Sequence, residues 1–284
     1  MLRSRRAALL IVGIALAGAA LGGCMSKAKR HLYAAEDLFE KRDLKGAKVE
    51  LQEAIEDDPN LLDAHKSLAH VNEYLGDEEG AAREYEAASR LDPADNKLLN
   101  KARYYRQMRE LEHSANKALD DIRAGRAEEG ITTLNNILTE TKQKAAHERA
   151  VDALRKAAPL IAQQGDSLQQ AKKYDEAIKT YALAIHAWQM IAEAGGKQQF
   201  DPQVDSLIRS INTAAQAGRI PDRAFTILND IVGFDPENKV ANAELAKAYL
   251  AHKPPDYTTA ADLMERAGAS DAEVKALRAR AKRR

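Results

Sequence analysis

Arg42-Asp-Leu-Lys-Gly-Ala-Lys-Val-Glu-Leu-Gln-Glu-Ala-Ile-Glu-Asp-Asp-Pro59 and Gly76-Asp-Glu-Glu-Gly-Ala-Ala-Arg-Glu-Tyr-Glu-Ala-Ala-Ser-Arg-Leu-Asp-Pro93 end on the same Asp-Pro pair, 34 residues apart. Counting back from each proline aligns Ala35 with Ala69, Ala47 with Ala81, Leu51 with Tyr85, and Ala54 with Ala88. The spacing returns further along the chain, where Phe200-Asp201-Pro202 precedes Phe234-Asp235-Pro236 by another 34 residues. Asp205 to Asn238 carries Ala224, Leu228 and Ile231 at the corresponding places. A fixed period of this length is the mark of a repeat array, in which each unit buries its apolar face only against its neighbours.

Within one unit, apolar residues recur at three- and four-residue intervals from Leu32 to Phe39, Arg42-Asp43 forms a turn, and Leu44 to Ile55 repeats the pattern. That is the signature of two amphipathic helices. The Asp-Pro pair stops the second helix, because proline has no amide hydrogen and restricts the residue before it. Small residues at Ala35, Ala47 and Ala54 let the helix backbones approach.

These residues resemble the tetratricopeptide repeat, which places a small residue at its eighth position, Ala at the twentieth and twenty-seventh, and Pro at the thirty-second. Residues 28–95 fit as two regular units, 28–61 and 62–95. Residues 205–274 fit as two more, with Asn212 in place of the first small residue and a two-residue insertion at His252-Lys-Pro-Pro-Asp256. Lys172-Lys-Tyr-Asp-Glu-Ala177 marks a stretched unit over 158–204, whose second helix is expected to run to about Glu193. Residues 96–157 read as long irregular helices with no Asp-Pro punctuation, holding a degenerate repeat centred on Ala124-Gly125-Arg126-Ala127. No unit has tryptophan at the fourth position, where His31, His65, Ile208 and Asn242 stand; the one tryptophan, Trp188, lies late in the prolonged helix. Ser270-Asp271 caps a last, covering helix whose end, 275–284, is basic through Lys275, Arg278, Arg280, Lys282, Arg283 and Arg284. The macrodipole accounts for positive charge at a helix C-terminus; contact with anionic lipid, lipopolysaccharide or cell wall is the alternative. The resemblance implies an all-α fold, an α-solenoid of helix hairpins with an irregular middle and a C-terminal capping helix.

The N-terminus has a separate logic. Met1-Leu-Arg-Ser-Arg-Arg6 is followed by an uncharged apolar stretch from Ala7 to Gly23 and then by Cys24, the one cysteine of the chain. A basic segment, an apolar segment and small residues at a cleavage point make a secretory signal. Leu21-Gly22-Gly23-Cys24 resembles the lipobox of bacterial lipoproteins, with residues 1–23 as signal peptide, cleavage between Gly23 and Cys24, and 24–27 as a lipidated linker. The competing reading, an uncleaved anchor over 7–23, is at the short limit for spanning a bilayer. Cleavage removes Arg3, Arg5 and Arg6 and takes the formal net charge from 0 to −3. Acylation of both the thiol and the new amine supplies the more than one chain that stable anchoring requires. Met25, rather than Asp, follows the cysteine, and by that resemblance the protein is expected at the outer membrane, facing the periplasm.

Composition closes several routes. Lys plus Arg and Asp plus Glu are both 43, which leaves no electrostatic case for nucleic acid. A lone cysteine excludes an internal disulfide, and neither the Cys nor the His spacing suits a structural zinc site, so no metal and no cofactor are expected. Gly195-Gly196-Lys197 lacks the earlier glycine of a phosphate-binding loop, and no paired-histidine metalloprotease motif or nucleophile elbow occurs. His31, His65, His70, His113, His147, His186 and His252 are scattered singly, and Asp57-Asp58 and Glu128-Glu129 read as solvated carboxylates at helix ends. An enzyme would need a hidden site within 96–157, and no small-molecule substrate is evident.

What the family resemblance implies instead is a binding surface. In that family the second, fifth, ninth and twelfth positions of the first helices line a groove for a partner. Carried across, they are Lys29, Leu32, Glu36 and Phe39; Asp63, Lys66, His70 and Glu73; and Ser206, Arg209, Thr213 and Gln216. The Lys and Asn with which chaperone-tail receptors of the family clamp a carboxylate are replaced by Leu32/Glu36 and Lys66/His70. The expected function is a lipid-tethered scaffold that recruits periplasmic or outer-membrane proteins, as lipoproteins of this family do in pilus secretin, outer-membrane protein assembly and polysaccharide export. An accessory regulator of a cell-wall enzyme is the alternative.

Overall fold

A computed structural model describes residues 25–141, 144–252 and 254–283. The signal segment, the lipobox Leu21-Gly22-Gly23-Cys24 and Arg284 lie outside the described residues. Thirteen α-helices and no strand occur among the described residues, and none of these helices is long and apolar enough to cross a membrane. They form two compact units, divided after Arg106.

In the first unit, α1 (Lys27–Glu40) pairs with α2 (Leu44–Asp57), α3 (Leu62–Leu75) pairs with α4 (Glu78–Leu91), and α1 and α2 both pack on α3. The first turns of α5 (Asn96–Arg123) cover Tyr85 and Ala88 through Leu98 and Ala102. The second unit takes up the rest of α5, α6 (Ala127–Glu140), α7 (Lys144–Gln170) and α8 (Tyr174–Ala194). It continues through α9 (Val204–Gly218), α10 (Pro221–Phe234), α11 (Lys239–Ala251), α12 (Tyr257–Arg266) and α13 (Asp271–Ala281). From α6 to α13 each helix packs on the next, and α6·α8, α8·α10 and α9·α11 pack one helix further on. That is the packing of a solenoid of helix hairpins, built in each unit from neighbours in sequence.

One turn closes five of the hairpins. Arg42, Gly76, Gly125, Lys172 and Arg219 all take positive φ, between 58° and 85°. The next residue then donates its amide back five positions: Asp43 to Leu38, Asp77 to Asn72, Arg126 to Asp121, Lys173 to Leu168 and Ile220 to Ala215, at 2.8–2.9 Å. This left-handed cap satisfies carbonyls that the ended helix leaves free. Holding arginine or lysine left-handed costs roughly 1–2 kcal/mol each, which the packing of the two helices offsets. After α11 the insertion replaces this turn, and Asp256 bonds Tyr249 and caps α12 through Thr258 and Thr259.

Small residues set the distance between helices. Ala47, Ala54, Ala81, Ala88, Ala177, Ala184, Ala224 and Ala260 are 0–1% exposed. In α6 the equivalent place is Gly130, where a Cβ would stand 2.6 Å from the backbone oxygen of Ala118 and 2.5 Å from Ile122. Gly165 likewise admits the ring of Tyr181, which a Cβ would meet at 2.6 Å. Asn212, the departure from the small-residue pattern, is buried and donates to Glu244 Oε2 at 2.5 Å, joining α9 to α11. The boundary drawn at residue 157 falls inside α7, which runs through Pro159 with Ala157 and Ala158 fully buried. Ser270 caps α13 in a reciprocal box with Glu273, and Arg278 ties α13 to Asp262 and Glu265 of α12 at 3.1 and 2.7 Å.

At two fourth positions of the repeat a polar side chain meets a loop carbonyl. His65 Nδ1 meets Glu84 at 2.7 Å and Nε2 meets the carbonyl of Pro59 at 3.0 Å; Asn242 donates to the carbonyl of Pro236 at 2.8 Å. In these two units the side chain satisfies the proline carbonyl of the preceding Asp-Pro loop, whereas Ile208 at the same place is apolar and fully buried.

Two outcomes follow from this packing. Gly130→Ala should lower the urea midpoint of the full chain by the equivalent of about 1–3 kcal/mol, because the new Cβ would meet the backbone oxygen of Ala118 as well as the Ile122 side chain. Gly233→Ala, with nothing within 4 Å, should raise it by roughly 0.4–1 kcal/mol; equal effects at both positions would contradict the close approach. The Glu84 hydrogen bond, against the opposing effect of burial, raises the His65 pKa above its ordinary 6.5. Its stabilisation is therefore full below that value and lost as pH rises through the folded one. Denaturation across about pH 5–9 should show His65→Asn less stable than wild type at acid pH, the gap narrowing toward alkaline pH. A gap independent of pH would contradict the pairing.

Candidate functional site

In the first unit, α1, α3 and the start of α5 each open a repeat. On α1, Lys29 and Glu36 are exposed and Phe39 is half-buried. Leu32 is 7% exposed and sits in the core with Ala35, Leu51 and Leu68. It therefore leaves the groove assigned to it, because an apolar side chain at that turn of α1 is drawn between the helices. Burial, and then the carboxylates of Asp63 and Glu40, hold the Glu36 carboxyl above its ordinary range. Asp63 is exposed on the first turn of α3, so this end of the face carries concentrated negative charge.

The other end is aromatic and ordered. Phe39 meets Tyr74 edge to face at 5.5 Å. Glu73 accepts from Lys101 Nζ at 2.5 Å and from the Tyr105 hydroxyl at 2.7 Å, and His70 Nδ1 lies 3.2 Å from its other oxygen. Tyr85 stacks on Tyr105 at 5.6 Å, with Lys101 over both rings at 5.5 and 5.8 Å. Burial would raise the Glu73 pKa, but the hydrogen bonds from Lys101 and Tyr105 and the facing Tyr85 hydroxyl outweigh it and hold the carboxyl low. That Tyr85 hydroxyl is buried without a hydrogen bond of ordinary geometry, and burial ahead of Glu73's charge drives its own pKa far upward. Lys66 is half-buried and pairs with Asp95 at 3.7 Å.

Next in sequence to members of this network, Tyr74 is 68% and Tyr104 38% exposed, and Tyr33 on α1 is 55% exposed. Tyr33 lies one turn beyond Lys29 on α1, and Tyr104 contacts Tyr105 edge to face at 5.1 Å. Large exposed aromatics beside an ordered polar cluster are the composition of an interaction surface. Tyr33, Tyr74, Lys101, Tyr104 and Tyr105 were not among the groove residues taken from the sequence. The tyrosines occupy different positions of their repeats, so the 34-residue spacing gave no signal for them.

In the second unit, Ser206, Arg209, Thr213 and Gln216 are exposed on α9. Ser206 and Thr213 donate to the carbonyls of Gln203 and Arg209 of their own segment, at 3.1 and 2.9 Å. Behind them, buried Glu244 links Asn212 to Lys247, which it meets at 2.7 Å. This face is polar and carries no exposed large aromatic among the described residues.

No protein-family model matches the chain, and no curated protein matches it. Among solved structures it is similar to the tetratricopeptide repeat domain of P58(IPK), at 17% identity and a TM-score of 0.31, covering 90% of this chain and 65% of that one. It is similar to the TPR2AB domain of yeast Sti1 in complex with an HSP90 peptide, at 18% identity and a TM-score of 0.35, covering 90% and 98% of the two chains. Pseudomonas aeruginosa pilF matches at 15% identity and a TM-score of 0.28, covering 88% and 80%. This chain spans about two thirds of the P58(IPK) domain. In its own right, the described part of the chain is an all-α array of helix hairpins packed on their neighbours in sequence.

Proposed function

We propose that the protein is a lipid-anchored scaffold facing the periplasm, which recruits partner proteins at the bacterial outer membrane through the first-helix face of residues 27–106. The observation that carries the reading is the pair of exposed tyrosines Tyr74 and Tyr104, each next in sequence to a member of the Glu73–Lys101–Tyr105 cluster, with Tyr33 exposed on α1. Aromatic rings on rigid helices present large apolar area at small entropic cost. The acidic end around Glu36, Glu40 and Asp63 adds orientation. The Leu21-Gly22-Gly23-Cys24 sequence supports the tether, and lipid on Cys24 places this face close to the membrane. Lys66, His70, Arg209 and Gln216 remain candidate contacts at the margins of the two faces.

Two experiments test the parts separately. Site-specific photo-crosslinking in the native envelope should recover the same protein partner from positions 66 and 74 and none from Val49, which is exposed on α2. Recovery from position 49 alone would refute the face. Cys24→Ser should abolish lipid labelling and leave precursor or released protein; normal labelling in that variant would refute the anchor.

A further inference from the structure

The imidazole of His31 meets two carboxylates one helical turn apart on α2. Nδ1 lies 2.7 Å from Glu50 Oε2 and 3.2 Å from Glu53 Oε2. Nε2 faces Asp57 Oδ2 at 3.7 Å, while Lys27 binds the other oxygen of Asp57 at 3.1 Å. The ligand atoms of His31, Glu50 and Glu53 all lie within 4.8 Å of one another. An open concavity of about 330 Å³ adjoins them, bordered by Lys27, Arg30, Ala34 and Glu50.

The second repeat supplies an internal comparison. There His65 and Glu84 form the same 2.7 Å pair, but Ala87 and Leu91 stand where the first repeat has Glu53 and Asp57. One imidazole and one carboxylate thus suffice to join the helices. The two further carboxylates around His31 are not required by the hairpin, and they gather three negative groups about the imidazole, with Lys27 on Asp57 and Arg30 at the border of the concavity.

We propose that His31, Glu50 and Glu53 form a binding site for a divalent transition metal of the zinc class. The ligands are His31 Nδ1 and one oxygen of each glutamate, with water from the concavity completing the coordination. Zinc takes nitrogen at about 2.0–2.1 Å and carboxylate oxygen at about 2.0–2.2 Å, so tetrahedral ligand atoms stand roughly 3.3 Å apart. The 3.2 Å contact already has that separation, and the 2.7 Å contact reaches it by a small rotation of Glu50. Two carboxylates and a neutral imidazole balance the charge of the ion. Asp57 then accepts from the Nε2 proton and fixes the ring, the usual arrangement behind a metal-bound histidine. The imidazole selects against magnesium and calcium, which prefer oxygen alone.

The test is calorimetric titration of Zn2+ into the full chain after treatment with a chelator, with an X-ray absorption spectrum of the product. One equivalent should bind through nitrogen and oxygen, with no sulfur, which separates the site from Cys24. Glu53→Gln should weaken binding at least tenfold, and Asp57→Asn about 10–100-fold. Glu84→Gln in the second repeat should leave it unchanged, and Mg2+ should give no saturable heat. Glu53 is half-exposed and not needed to join the helices, so its variant stays informative if His31→Gln disturbs folding. Unchanged affinity in Glu53→Gln, sulfur in the coordination shell, or no saturable binding at micromolar zinc would overturn the proposal.

Discussion

Close approach of helix backbones is the constraint on which the remaining structure depends. Where the second helix of each hairpin crosses the first, the side chain is a methyl group or nothing: Ala47, Ala81, Gly130, Ala177, Ala224 and Ala260. Interiors tolerate neither voids nor overlaps of even one methylene, so this distance fixes the register of the whole hairpin. The larger residues then follow. Leu51, Tyr85, Leu134, Tyr181 and Leu228, each at most 2% exposed, fill the space one turn further along the same helices. Tyr181 fits because Gly165 opposite has no side chain.

That regularity frees the surface from structural duty. Since apolar burial between neighbours supplies the cohesion, the outward side chains of α1, α3 and α5 can differ from unit to unit. In the first unit they separate into an acidic end at Glu36, Glu40 and Asp63 and an aromatic end at Phe39, Tyr74 and Tyr104. Glu73 governs the second of these, because one carboxylate orders a lysine, a tyrosine and a histidine around it. The surface tyrosines thereby rest on a framework whose rotamers are already chosen, and little ordering is left for a partner to impose.

The hairpins were legible in the sequence because their signals are local: Asp-Pro after most second helices, small residues at fixed spacing, turn residues between. The surface was legible only in part. Glu73 and Lys101 are 28 residues apart, and His31 and Glu50 are 19 apart; such pairs meet only when helices stack, so spacing along the chain gives no sign of them. Leu32 was misplaced because a position rule ignores side-chain chemistry, and a leucine beside Leu51 and Leu68 is drawn into the core. The boundary drawn at residue 157 falls inside α7, which runs on through Pro159. Pro59, Pro93 and Pro236 each follow the aspartate that ends a second helix, whereas Pro159 follows two buried alanines within α7, which packs on α8. The proposed tether rests on the sequence of residues 21–24, which lie outside the described residues.

The central claim, that each hairpin is locked where small residues let two helices touch, is tested most directly by amide hydrogen exchange of the full chain at peptide resolution. Protection follows burial and packing of the hydrogen-bonded backbone. Slowest exchange is predicted in the segments centred on Ala47, Ala81, Gly130, Ala177 and Ala224, with fast exchange in the connector 198–203. Exchange through the Gly130 and Ala177 segments as fast as in that connector would contradict the account.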